Sequence, residues 1–214
     1  MVKVFIGNLK RRPDKRWATF GAMTSRGFKE GFDFEFVESH DSNQYYLFED
    51  QFEAFCKRWD PQWANNEPLD LEHGPLLGSI YTYLEILEKI IDSESPGVLM
   101  LDDHYLVNKI PLLLVRKEDN PIILNLTDKS KSDDCLLFHP EAAKDISESL
   151  LIHQAPQSLW LWKHCLKYYN YQRSSEPYAF HIGPKDTFAS DIKENNHGVQ
   201  QGYRNLARAI GLST

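Results

Sequence analysis

The 214 residues, 42% hydrophobic and 26% charged, hold enough apolar mass for a substantial core and exclude a disordered or fibrous chain. A formal net charge of −7 argues against a nucleic-acid binder that works by neutralising phosphates, yet a local basic cluster can still meet a small anion. The three cysteines, Cys56, Cys135 and Cys165, lie far apart with no CxxC spacing. No apolar run has signal-peptide or membrane-spanning length, so the expectation is a cytoplasmic protein with reduced thiols and no membrane span.

In chain order, "VKVFIGNL" (residues 2–9) is a β-branched apolar run and reads as an opening strand. The basic "KRRPDKR" follows, and "WATFGAMTSRGF" (17–28) reads as a helix with Trp17, Phe20 and Met23 on one face. "FDFEFVES" (32–39) alternates as a strand, so strand, helix and strand suggest a βαβ unit and a partly parallel sheet. Residues 44–59 read as an amphipathic helix, and 60–75 as a long polar loop of the kind that closes over ligands.

Apolar residues at 76, 77, 80, 83, 84, 87, 90 and 91 recur at helical spacing and predict a helix over 76–93. Ser95-Pro96-Gly97 stops it, and a strand follows at 98–101. Residues 111–128 hold two further apolar runs, the first read as helical. Then come a strand in "CLLFHP", a helix over 140–153 with Pro140 in its first turn, a helix over 157–169, and a strand in "PYAFHIG". The tail from 189 is polar and then weakly amphipathic. With no repeat or linker, residues 1–214 read as a single α/β domain.

Strand 98–101 runs straight into Asp102, Asp103 and His104. At the carboxyl edge of an open α/β sheet such groups face the ligand crevice. Strand alternation would turn Asp102 and His104 one way and Asp103 the other, a carboxylate–imidazole pair fit for a divalent cation such as Mn²⁺. The plainer alternative is a solvated turn. Gly7, Asn8, Arg11, Arg12, Lys15 and Arg16 follow the first strand and suit a phosphate-bearing ligand; the alternative there is a solvated helix start. Neither GxGxxG nor GxxxxGK[ST] is present. His181, before Gly183-Pro184, would sit at another strand end and complete a metal site with Asp102 and His104, unless it is a capping or core histidine. His153 and His164 read as structural, and the Glu85/Glu88 pair as a solvated helix flank.

Taken in order, these pieces resemble a known family. "VFIGNLKRRPDKRW" resembles the opening strand and turn of glycosyltransferase family 25, the lipopolysaccharide and collagen sugar transferases, and "FEFVESHDS" its next strand. "LLGSIYTYLEILEKIIDSESPGVLMLDDHYL" is similar to the family's central helix and strand with its acidic motif, and "CLLFHPEAAKDISESLL" resembles a later strand and helix. The resemblance implies an A-type glycosyltransferase fold, a Rossmann-like mixed sheet flanked by helices. Its nucleotide-sugar-binding half would span about 1–106 and its acceptor-side half about 107–214. It implies a nucleotide-sugar donor, most readily a UDP-sugar, a glycan or other hydroxyl acceptor, and a divalent metal, Mn²⁺ or Mg²⁺. By position the donor site falls on Gly7, Asn8, Arg12, Arg16, Asp102 and Asp103.

His104 stands where the family has a carboxylate. The polypeptide N-acetylgalactosaminyltransferases, which use Asp-x-His with a later histidine, resemble the chain there and imply Asp102, His104 and His181 as metal ligands. Thr82-Tyr83 replaces a Ser-His pair, and Gln157 an Asp. Asp186 and Asp191, downstream of His181, are the candidates for the base of an inverting transfer. Two other readings stand beside this one. One is a catalytically degenerate protein that binds nucleotide-sugar or glycan; the other is a metal-dependent phosphoryl hydrolase.

Overall fold

The first strand, β1 (Lys3–Leu9), is buried on both faces because packed layers cover both sides of the sheet, Phe5 joining one core cluster and Val4 and Ile6 the other. It pairs in parallel with β2 (Phe34–Ser39) and with β3 (Gly97–Leu101). The structure is a computed structural model that describes residues 2–41, 73–111, 123–127, 135–152, 171–175 and 177–182, with the backbone alone at 73–80, 149–152 and 181.

Beyond β3 the sheet turns mixed. Two short strands, β4 (His104–Leu106) and β5 (Ile123–Asn125), follow β3 in the chain. Strand β6 (Cys135–Phe138) runs antiparallel to β3, β5 antiparallel to β6, and β7 (Tyr171–Arg173) parallel to β5. Among the described residues the order of this six-stranded sheet is β2-β1-β3-β6-β5-β7. The last strand, β8 (Ala179–His181), forms a separate antiparallel pair with β4.

Three described helices, α1 (Pro13–Thr24), α2 (His73–Asp92) and α3 (Pro140–Ile152), cover the sheet. The alternation of β3 shows how. Val98 and Met100 join Met23 of α1, Phe28, Phe34 and Leu106 on one face. Leu99 joins Ile86, Leu87 and Ile90 of α2 and Ala142, Ala143 and Ile146 of α3 on the other. The α2 layer lies so close that a Cβ on Gly97 would stand 2.7 Å from Ile90 Cγ1. The chain is thus an α/β protein, with a mixed sheet flanked by helices.

Several elements depart from the sequence reading. Helix α1 begins at Pro13, inside the basic run, and ends at Thr24. Proline at the first helical position is pre-organised and loses no hydrogen bond there, and Gly27 at φ +80° takes the chain out of the helix. Its inward face is Asp14, Lys15, Ala18, Thr19 and Met23, while Trp17 is 65% exposed. Phe32 lies in a turn at 79% exposure, two residues before β2, because Gly31 at φ +79° reverses the chain there. Helix α2 starts at His73, so the end of the expected polar loop is already helical. Strand β7 was not expected from its sequence. The expected helices 44–59 and 157–169, the loop 60–72, the first apolar run of 112–122 and the tail lie outside the described residues.

Candidate functional site

The carboxyl ends of β1 and β3 are adjacent, and connections leave them in opposite directions. From β1 the chain passes through α1 on one face to β2; from β2 it passes through α2 on the other face to β3. Strand order therefore reverses at the β1/β3 pair, and ligands of open α/β sheets bind in that kind of crevice. The register joins Gly7 to Leu101, which brings Asn8 beside Asp102 one residue further on.

Asn8 bridges the two. Its Nδ2 donates to Asp102 Oδ2 at 2.6 Å and to the Arg12 carbonyl at 3.2 Å, tying the β1–α1 turn to the end of β3. The other Asp102 oxygen, Oδ1, lies 3.7 Å from Lys15 Nζ, and Thr19 Oγ1 donates to the Asp102 carbonyl at 2.5 Å. All four residues are buried: Asn8 5%, Lys15 6%, Thr19 0% and Asp102 8% exposed. Burying an ammonium and a carboxylate is tolerable because each is the other's counter-ion.

The chain turns at Asp102–Asp103, and His104 opens β4. Its Nδ1 lies 2.6 Å from Asp103 Oδ1, and His104 is buried while Asp103 is partly open. A carboxylate at one imidazole nitrogen fixes the ring's orientation. The β4–β8 register sets His104 directly opposite His181. Two of the three expected metal ligands are thus cross-strand neighbours in the backbone.

Two expected donor-site cations have anionic partners. Arg12 holds Asp14 with Nε at 3.0 and 3.3 Å from its two oxygens and Nη2 at 2.8 Å, both side chains being buried. Arg16, half exposed, reaches Glu30 at 3.0 Å and lies over the Phe36 ring. Beside them, Arg11 pairs with Asp41 at 2.7 Å. Gly7 is at the β1/β3 edge, where a Cβ would stand 2.9 Å from Thr82 Cγ2. Thr82 in turn accepts the His40 backbone N–H at 3.0 Å, and His40 Nε2 lies 3.4 Å from Glu85 Oε2. Glu85 thus pairs with a neighbour instead of simply facing solvent. Asp186 and Asp191 lie outside the described residues.

An expected divalent ion can be tested against these donors. Among the described residues no three His, Cys, Asp or Glu side chains converge as a metal set. Both Asp102 oxygens already face donors of this chain, so the side chains as they stand do not fit an ion at Asp102. Thr19 is the residue that sequence reasoning left out of the site, and Lys15, named there only within the basic run, was not joined to Asp102. Their signal is helical spacing counted from Pro13, which sets 15, 19 and 23 on one face.

No family model matches the chain, and no curated protein does. Among solved structures, the chain is similar to the glycosyltransferase GlyE of Streptococcus pneumoniae, at 7% identity and a TM-score of 0.49. That alignment covers 99% of this chain and 63% of the other, so the chain spans less than two thirds of that protein. It is also similar to a glycosyltransferase involved in the glycosylation of the major capsid of PBCV-1, at 12% identity and a TM-score of 0.47, covering 93% and 98% of the two chains.

Proposed function

We propose that this chain transfers a sugar from a nucleoside diphosphate sugar, most readily a UDP-sugar, to a hydroxyl of a glycan or other acceptor. The observation that carries this reading is the buried Asn8–Asp102–Lys15 cluster at the β1/β3 carboxyl edge, where strand order reverses. It coincides with the segments whose order resembles glycosyltransferase family 25.

In such a transfer the bond between the sugar's C1 and the β-phosphate oxygen breaks, and a new bond forms from C1 to the acceptor oxygen. Charge grows on the departing diphosphate, and a fixed cation beside it lowers the barrier. In an inverting transfer the acceptor's proton passes to a carboxylate on the far side of the sugar, for which Asp186 and Asp191 are the candidates. Arg12 and Arg16 flank the donor side, Arg12 fixing the turn through Asp14. The His104–His181 register favours a histidine pair as the place for Mn²⁺ or Mg²⁺, with Asp103 orienting His104. When bound there, the ion would supply Lewis-acid stabilisation of the charge that develops as the sugar–phosphate bond breaks, not the affinity for the diphosphate.

The test is calorimetric titration of UDP into the full chain, followed by a screen of nucleotide-sugars for sugar release. Binding with release that is lost in Asp102→Ala is the expected result. Binding without release assigns a degenerate binder, and cleavage of phosphate esters without nucleotide preference assigns a hydrolase. Absence of binding to any nucleoside diphosphate rejects the transferase.

A further inference from the structure

Helix α1 is turned the wrong way for its composition: the indole of Trp17 faces outward and the ammonium of Lys15 faces the core. Lysine is almost never buried without a partner, and its long stem normally carries the charge to water. Asp14 does not explain the inversion, because the Arg12 guanidinium grips both of its oxygens. Lys15 instead lies against Asp102 at the β1/β3 edge. At 3.7 Å the contact is an ion pair, longer than the roughly 2.7–2.9 Å of a charge-assisted hydrogen bond. Asn8 takes the second Asp102 oxygen at 2.6 Å.

A divalent ion bound to Asp102 Oδ1 would sit about 2 Å from that oxygen, within a few ångströms of the ammonium. Charges of like sign so close in a buried site repel strongly. Lys15 and a divalent ion are therefore competitors for Asp102.

We propose that Lys15 is the cation this site carries for itself: its ammonium neutralises Asp102 and meets the β-phosphate of a nucleoside diphosphate, so that the diphosphate binds without a divalent ion. The proposal rests on the reading of this edge as a nucleotide-diphosphate site. Lys15 stands beside Asp102 at the β1/β3 carboxyl edge, on the first turn of α1, whose start is set by Pro13 and by the Asn8 bond to the Arg12 carbonyl. A ligand phosphate arriving there would share the ammonium with Asp102, and no proton or metal need be exchanged.

The experiment titrates UDP into the full wild-type chain, Lys15→Met and Lys15→Arg, each in EDTA and in Mn²⁺, and titrates Mn²⁺ alone into wild type and Lys15→Met. Wild type is expected to bind UDP nearly as well in EDTA as in Mn²⁺. Lys15→Met should lose about ten- to a hundredfold in EDTA, the scale of one charge-assisted phosphate contact, while Lys15→Arg retains most of the affinity. Mn²⁺ alone should bind Lys15→Met more tightly than wild type, because the like charge beside Asp102 is removed. Should Lys15→Met fold poorly around its uncompensated carboxylate, Lys15→Met/Asp102→Asn removes both charges and should show the same loss. UDP binding to wild type that disappears in EDTA would overturn the proposal while leaving the transferase reading intact. So would undiminished affinity in the double variant. Failure of wild type to bind UDP under either condition overturns both.

Discussion

A guanidinium, an ammonium and two carboxylates are buried around the first turn of α1 and the end of β3, and each is tolerable only through a partner. The Arg12–Asp14 pair is the tighter, and its function is to fix the turn from which Lys15 projects. Asp14→Ala would strand a buried guanidinium. It is expected to lower stability by about 3–5 kcal/mol in urea unfolding, while Arg12→Ala/Asp14→Ala costs less than the sum of the single changes. An additive cycle would contradict the pairing. Asn8, Asp102, Asp103 and His104 were legible in the sequence because a strand that ends in polar residues marks the edge of a sheet. Lys15 was named with the basic run after β1, but its burial against Asp102 was not legible, since one lysine in a basic run looks like its solvated neighbours.

Among the elements, β1, β3, β6, α2 and α3 were visible as apolar runs or helical periodicity, which survive because the same residues make the core. Met23 is buried and Phe20 packs against the core as expected, but Trp17 on the same α1 face was misread for a physical reason. Trp17, Phe20 and Met23 satisfy helical spacing, but burying Asp14, Lys15 and Thr19 against the sheet edge rotates the indole outward. Strand β7, Tyr171–Arg173, carries no apolar alternation because it lies at the sheet's margin, half-buried or exposed, and it is defined only by its pairing with β5. The α2–sheet contact makes its own prediction. In Gly97→Ala the new methyl would meet Ile90 and the Phe5 ring at 2.7 and 3.1 Å, an overpacking expected to cost about 1–3 kcal/mol in denaturant unfolding. Gly21→Ala, where a Cβ meets nothing within 4 Å, is the control that should be neutral or stabilising.

At the scale of the whole molecule, the opposite end of the sheet is fastened by Asp33. Its Oδ2 accepts the Lys29 N–H at 2.9 Å and pairs with Lys109 at 3.1 Å, joining the start of β2 to the segment after β4. Burial alone would raise this carboxyl, but the Lys29 N–H and the Lys109 ammonium outweigh it and hold it below the ordinary aspartate range. Glu35 is lowered likewise, burial being outweighed by Lys3 and Lys89. A carboxyl lowered on folding contributes stability above the unfolded value of about 3.9, and that contribution is lost as pH falls through the folded value. Asp33→Asn is therefore expected to be less stable than wild type at neutral pH, with the gap narrowing below about pH 4. Urea unfolding between pH 3 and 7 reads this directly, and an unchanged gap would contradict it.

The Asn8–Asp102 bond joins residues 94 positions apart, and the Thr19–Asp102 bond residues 83 apart. Neither can form until β3 has docked beside β1, a non-local closure of the slow kind. The side-chain cluster around Asp102 therefore has no rudimentary version before that closure. An amino-terminal fragment ending before β3 would hold Lys15, Asn8 and Thr19 without the residue that joins them. The cluster is completed only when the middle of the sheet closes.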